Sequence, residues 1–300
     1  DIAVKMQAEQ EAGNVVGDVW FQSFGHVLYG EFMPNQWLWW YVPPGVKGYE
    51  VTEDRPFIIQ RRSVDVIGYN NEIYQDGCPL TNWWQLTEPD LKGLFYMEDP
   101  IADSSTTAKI TLIIEHADEM AAAYESYYGR EWTTDEAYTE DIPNAGYLFL
   151  KKLAHNEPGI QPGGDEVDAA FATLGMDPST PPGYGWTGLS SYENTLEGEL
   201  AMAPCYGLEP TVGILKAAYL GIANNAPHPN AAKLFIRFAL TAEGFDPWNR
   251  MGAYPGVEGI ESAEGMPARE DIKLWPSDDK FAYEHMSAVR DFWALNLLGQ

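Results

Sequence analysis

The sequence predicts an α/β fold. Helical and strand-like patterns alternate along the whole chain, two of the helical runs open on clear start signals, and no internal repeat or low-complexity tract interrupts them. The 300 residues are about twice the usual ~150-residue domain, so one large domain or two lobes fits.

In chain order, Glu9–Glu11 and Gly13 mark the end of an opening helix. Asp18–Phe21 is a short β-rich run. A small polar loop at Gln22, Ser23 and Phe24 follows, then a helical stretch through Leu28. Strand, loop, helix is one α/β unit, and its loop lies at the carboxyl end of the strand, where open α/β sheets bind ligands. Trp37–Pro44 is too aromatic and proline-terminated for a surface helix. Phe57–Ile59 and Val64–Tyr69 are strand candidates with Arg61 and Arg62 between them. Pro79–Leu86 opens a helix capped by Thr81 or Asn82, and Leu91–Met97 ends in a strand broken by Asp99 and Pro100. Asp103–Thr107 then caps one long apolar periodic run closed by Gly129, and 133–156 holds a second helix. The Pro- and Gly-rich stretch Gly159–Gly188 reads as an extended loop with Tyr184 and Trp186 at its end. Leu200–Ala203 and Leu215–Ala223 read as strands, Pro229–Thr241 as an amphipathic helix with proline in its first turn, and 281–298 as a terminal helix.

Composition bounds the function. With 45% hydrophobic and 21% charged residues, the chain has enough apolar surface for a large core. Its 45 acidic against 18 basic residues leave a net charge of −27, a field that repels phosphate backbones and anionic headgroups. Nucleic acid is therefore excluded as a partner, while a pocket keeps its own local field. No uninterrupted apolar run reaches the ~18 residues of a membrane-spanning helix. The opening stretch is amphipathic and charged, unlike a signal peptide, so the chain is either cytoplasmic or a processed form. Cys78 and Cys205 are far apart and lack CxxC spacing; two separate thiols are expected, with a single disulfide as the alternative.

Catalytic signatures are absent. There is no HExxH, GxSxG, P-loop, GxGxxG or EF-hand loop, and Phe21 stands where the first glycine of a nucleophile elbow belongs. Carboxylate pairs are plentiful, but 45 acids guarantee chance pairs. Neither a catalytic residue, a metal ligand nor a cofactor is assigned. The candidates are for binding. Ser104, Ser105 and Thr106 place hydroxyls and free N–H groups at a helix start, which suits an anionic group, although plain capping explains them equally. Gln22, Ser23 and Phe24 lie at a strand's carboxyl end, or are simply a turn. Tyr184, Trp186 and Tyr206 are able to stack on a ligand's flat face, or to fill the core. Arg61, beside Arg62, offers a fork for a carboxylate or phosphate, or is a solvent-facing strand residue.

The order of several fragments resembles a known pattern. Val66-Ile-Gly-Tyr-Asn-Asn-Glu-Ile-Tyr, Pro79-Leu-Thr-Asn-Trp-Trp-Gln-Leu, Leu91-Lys-Gly-Leu-Phe-Tyr-Met-Glu-Asp-Pro, Ala226-Pro-His-Pro-Asn-Ala-Ala-Lys-Leu-Phe-Ile-Arg-Phe and Thr241-Ala-Glu-Gly look like segments of the extracellular solute-binding proteins of ABC importers. The group in question is related to iron(III), sugar-phosphate, phosphonate, thiamine and polyamine binders. The resemblance covers most of residues 1–260, each piece being weak alone and specific in combination. It implies a two-lobe periplasmic-binding-protein type II fold with a hinge of two crossing strands, near 64–70 and 211–222. Residues 71–210 would form one lobe, and 1–63 with 223–300 the other; an N-terminal βα unit is expected to be missing. It further implies capture of a small solute in a cleft, hinge closure as a ligand-shifted equilibrium, and delivery to a membrane permease by a periplasmic or extracellular monomer, a cell-surface lipoprotein included. The donors of the Ser104–Thr107 helix start, with the resemblance in support, make the expected solute a small polar, anionic metabolite. Gln22, Ser23, Phe24 and Arg61 would meet the ligand from one lobe, and Ser104, Ser105, Thr106, Tyr184, Trp186 and Tyr206 from the other. The iron binders of this group carry adjacent tyrosines after a Gly-Glu strand. Here Gly198-Glu is followed by Tyr206 alone, and Tyr127-Tyr128 fall at a helix end, which argues against phenolate capture of ferric iron. Ferric-iron binding on the same fold is the alternative, and a secreted carbohydrate-acting enzyme is the alternative of another class.

Overall fold

A computed structural model of the chain describes residues 2–52, 56–173 and 181–298. The chain divides into two units, the first made of Asp1–Ser63 and Leu215–Met266, the second of Val64–Ile214 and Pro267–Gln300. In chain order the helices and strands are α1 (Ile2–Glu11), β1 (Val19–Gln22), α2 (Gly25–Val27), β2 (Leu38–Trp39), β3 (Ile58–Tyr69), β4 (Phe95–Glu98), α3 (Ser104–Glu115), α4 (Ala117–Tyr128) and α5 (Ala145–His155). They continue with β5 (Gly159–Gln161), α6 (Gly164–Thr173), β6 (Tyr184–Gly188), α7 (Tyr192–Leu196), β7 (Ala203–Pro204), β8 (Gly213–Ala223), α8 (Pro229–Ala239), α9 (Ala242–Phe245), β9 (Ala253–Pro255), β10 (Leu274–Pro276) and α10 (Asp279–Leu298). Two passages between the units fall inside the long strands β3 and β8, and a third falls after Met266.

In the first unit β1 and β2 run antiparallel to residues 219–223 of β8, and β9 runs antiparallel to Arg61–Ser63 of β3. Successive strand side chains point to opposite faces, so one strand feeds two cores. Ala217, Tyr219 and Ala223 of β8, with Phe57, Ile59 and Trp20, pack with Ala3 and Met6 of α1 and with Leu28 and Phe32. Leu220 and Ile222, with Ile58, pack with Ala232, Ile236 and Ala239 of α8. The α8 positions recur at helical spacing, which is why this amphipathic helix was legible from the sequence. The two strands expected over 57–69 are one twelve-residue strand, and Arg61 and Arg62 lie within it.

In the second unit β6 pairs antiparallel with Asp65–Tyr69, and β4 runs parallel to both β6 and β5. Helices α3, α4 and α5 enclose a core that includes Trp83, Trp84, Phe149, Ile113 and Trp186. The run from Ser104 to Gly129 is two helices, because His116 leaves helical geometry (ψ 33°) and stacks flat on Trp275 at 4.3 Å. Gly129 closes α4 at φ 68°, a left-handed position that suits glycine. No helix among the described residues is long and apolar enough to cross a membrane.

Three expectations are corrected here. The stretch read as an extended loop contains β5, α6 and β6, while residues 174–180 lie outside the described residues. Gly185 of β6 is a packing residue: a Cβ there would come within 2.2 Å of the Phe171 ring of α6, and one on its β3 partner Gly68 within 2.8 Å of the same ring. Residues 267–298 pack with the second unit instead of the first, since Trp275, Val289 and Trp293 join its core and Phe292 meets Tyr147 of α5 edge to face. Cys78 and Cys205 are bonded, with Cα atoms 5.2 Å apart. Strand pairing that spacing could not reveal brings them together. Cys205 donates its N–H to the Ile67 carbonyl, Glu209 donates to Thr81, and Trp83 donates to Glu209, laying 205–209 beside 81–83.

Two outcomes follow from this packing. Thiol titration of the denatured, unreduced chain is expected to find no free thiol, and replacing both cysteines by serine to lower stability by about 2–5 kcal/mol in urea unfolding. Two titratable thiols would refute the pairing. The second concerns Glu115 at the end of α3, whose carboxyl is pushed up from 4.5 to about 7 by burial and by Asp278, which also hydrogen-bonds it. A raised carboxyl favours the folded state when protonated, so its contribution is full below 4.5 and lost as pH rises through about 7. Glu115→Gln should therefore gain stability relative to the native chain as pH rises from 4.5 to 7, and the two should converge in acid. A pH-independent difference in thermal midpoint would count against it.

Candidate functional site

The candidates fall in both units. In the first, β1 delivers Gln22 half-buried at its carboxyl end, Ser23 is exposed, and Phe24 is half-buried against the Trp20 core. Arg61, on β3, meets the neighbouring Phe21 instead. Its guanidinium carbon lies 3.9 Å from the ring centre of Trp248 and 5.2 Å from that of Phe21, the residue before Gln22. Phe21 and Trp248 themselves meet edge to face at 5.6 Å. Arg62, one residue on, behaves differently: its Nη2 lies 2.6 Å from Glu50. Arg61 donates only to Gln60 Oε1, at 3.3 Å, and no carboxylate among the described residues forms an ion pair with it or with Arg250. Burial lowers Arg61 to about 10, and repulsion from Arg250 acts in the same direction. It stays protonated at neutral pH.

In the second unit the start of α3 is largely self-satisfied. Asp103 caps it by accepting from Thr106 N–H at 2.6 Å, and its carbonyl accepts from Thr107 N–H. Thr106 is fully buried and donates its hydroxyl to Glu98, and Thr107 donates to the Pro100 carbonyl. That corrects the expectation for Thr106, whose hydroxyl already has a carboxylate. Ser104 and Ser105, half-buried, are the first-turn residues with N–H groups left for an outside acceptor. One turn on, Lys109 is buried with Nζ 3.2 Å from Glu98, 3.5 Å from Asp65 and 5.4 Å from the Trp186 ring centre. Burial alone would push Lys109 down, but Asp65 and Glu98 outweigh it and hold it above its ordinary value.

The aromatic candidates divide. Tyr184 and Trp186, expected to cover the ligand, are 2% and 3% exposed and belong to the core. Tyr184 stacks on Tyr74, and its phenol is pushed up by burial and by a hydrogen bond to the Tyr74 hydroxyl. Tyr206 is exposed at 41%, and desolvation with the neighbouring Tyr192 raises its phenol. Sequence reasoning missed Trp248, Arg250, Glu98, Asp65 and Lys109. Trp248 lies 187 positions from Arg61, and only the pairing of β9 on Arg61–Ser63 brings that region near. Two hollows contain none of the candidates. One of about 340 Å³ lies among Met33, Leu38, Trp39, Trp40 and Phe57, and one of about 370 Å³ among Asn71, Glu72, Thr195 and Glu199. Among the described residues no cluster of His, Cys, Asp or Glu could hold a metal ion.

No protein-family model and no curated protein matches the sequence. Solved structures do. Iron-bound HitA from Pseudomonas aeruginosa superposes with a TM-score of 0.69 at 15% identity, over 99% of this chain and 87% of that one. The periplasmic binding protein AfuA from Actinobacillus pleuropneumoniae, with fructose-6-phosphate bound, gives 0.66 at 17% identity, over 99% and 86%. The periplasmic binding protein P5PA gives 0.67 at 21% identity, over 99% and 87%. The chain has a periplasmic-binding-protein fold. Within that class its α/β architecture is the type II form expected from the sequence.

Replacing Lys109 by Met leaves Asp65 buried without its cation and is expected to cost about 3–5 kcal/mol in urea unfolding. An unchanged unfolding midpoint would show that Asp65 and Glu98 do not depend on this lysine.

Proposed function

We propose that the chain is the solute-binding component of an ABC importer. It captures a small polar, anionic metabolite and hands it to a membrane permease, from the periplasm or the outer cell surface, without covalent chemistry. The observation that carries this is a fold match spanning 99% of the chain, to proteins that include HitA with iron and AfuA with fructose-6-phosphate. The residues available to a ligand are Gln22, Ser23, Phe24 and Arg61 in the first unit, and Ser104, Ser105 and Tyr206 in the second. Each unit thus offers hydrogen-bond donors and one aromatic ring, Phe24 in the first and Tyr206 in the second, and such donors suit an anion.

The ferric-iron reading has the HitA match in its favour. Against it, burial pushes the phenols of Tyr206, Tyr184 and Tyr69 up, so the phenolates such a site needs are not prepared in advance. Native mass spectrometry of the protein as purified is expected to show an added mass of a small organic anion, released on denaturation. Ferric citrate is expected to raise no tyrosinate absorbance. A bare-chain mass together with no thermal shift across a panel of metabolites would overturn solute capture, and a visible tyrosinate band would replace the anion by iron.

A further inference from the structure

We propose that Arg61, stacked on Trp248 and flanked by Phe21, is the oxyanion receptor of the first unit, taking a carboxylate or phosphate group of the solute with Arg250 as a second cation. This rests on the solute-binding reading above and names the chemistry that the first unit contributes to it.

The argument starts from an imbalance of charge. In a chain with 45 acidic and 18 basic residues, cations should find carboxylates easily. Arg62 has Glu50, Lys109 has Glu98 and Asp65, Lys152 has Asp135, and Lys273 has Glu119. Arg61 is half-buried, and among the described residues it has neither a carboxylate in ion-pair reach nor a second cation's counter-charge, only the like charge of Arg250. Keeping a desolvated guanidinium beside another cation is unfavourable until an anion arrives, which is the arrangement a receptor has and a structural ion pair lacks. The rings add geometry. A guanidinium lying 3.9 Å from an indole centre and 5.2 Å from a phenyl centre is held in its plane, while its edge N–H groups remain for a fork-shaped contact. One of those donors is engaged by Gln60 Oε1. Bidentate recognition of an oxyanion needs such a fixed fork, and lysine has no equivalent. The −27 field acts at long range and is screened beyond about 8 Å at physiological ionic strength, whereas direct N–H contacts are not.

The test is side-chain NMR of the ¹⁵N-labelled full chain, with Arg61→Lys identifying the Arg61 Nε–H signal. Inorganic phosphate is titrated in one series, acetate and succinate in another, and sodium chloride serves as the control. A saturable shift of the Arg61 signal is expected in one oxyanion series and not with chloride, and the series that saturates distinguishes phosphate from carboxylate. Followed in every variant through the backbone amide shifts of β3, binding should weaken about tenfold or more in Arg61→Lys, which keeps the charge and loses the fork, and remain unchanged in Arg62→Lys, whose fork is held by Glu50. A linear response to every anion, or equal weakening in the Arg62 variant, would overturn the proposal. Native mass spectrometry separates it from the broader reading. A co-purified solute retained at full occupancy by Arg61→Ala refutes the receptor and leaves solute capture standing. Saturable anion binding at Arg61 in a chain that holds no solute leaves the receptor standing and removes solute capture.

Discussion

Burial along both faces of β3 is the constraint from which most of this structure follows. Ten of its twelve positions, Ile58–Tyr69, are buried, so each polar side chain on it needs a partner of its own. Gln60 donates to the Ala239 carbonyl and Arg62 to Glu50. Asp65 faces Lys109, and just past the strand Asn70 donates to the Ala172 carbonyl. Each partner comes from a different element, so β3 gathers α8, α3 and α6 around it as well as its strand neighbours. Where Gln60 has a carbonyl, Arg62 a carboxylate and Asp65 a lysine, Arg61 has aromatic rings, apart from its one contact to Gln60.

The aromatic richness of the chain illustrates how burial competes with binding. Trp20, Trp83, Trp84, Trp275 and Trp293 are among the largest fully buried side chains, and Trp186 is buried in the core as well. Their indoles are structural where a sequence reading leaves stacking on a ligand open. Trp83 donates to the Thr211 carbonyl and Trp84 to the Met120 carbonyl, tying a loop and α4 to the core. By contrast Trp39 and Trp40 are 54% and 58% exposed, so aromatic content by itself does not locate a site.

What was legible in the sequence was local. The Asp103 cap, the glycine stop at 129 and the buried stripe of α8 each depend on residues within a few positions of one another, and each lies where the pattern placed it. What was not legible depends on distant partners. Gly185 looks like loop punctuation until Phe171 is seen against it. Thr106 looks like a free hydroxyl until Glu98 arrives from β4. The family pattern carried the α/β architecture across these gaps, because the order of its fragments encodes contacts that spacing does not. It did not carry the placement of residues 267–298, which lie beyond the matching segments and complete the core of the second unit.

The bond between Cys78 and Cys205 also ties the fold to chemistry outside the protein. It joins residues 127 positions apart, both packed with the second unit's core. Such a bond persists where thiols are oxidised and is rare where glutathione and thioredoxin keep them reduced. In the folded unit the backbone pairing of Cys205 with Ile67, and of Glu209 with Thr81 and Trp83, holds the two cysteines within reach of each other, so folding favours oxidation. The chain thus has two maturation states distinguished by a pair of electrons, and the compartment's redox poise decides which one the cell holds.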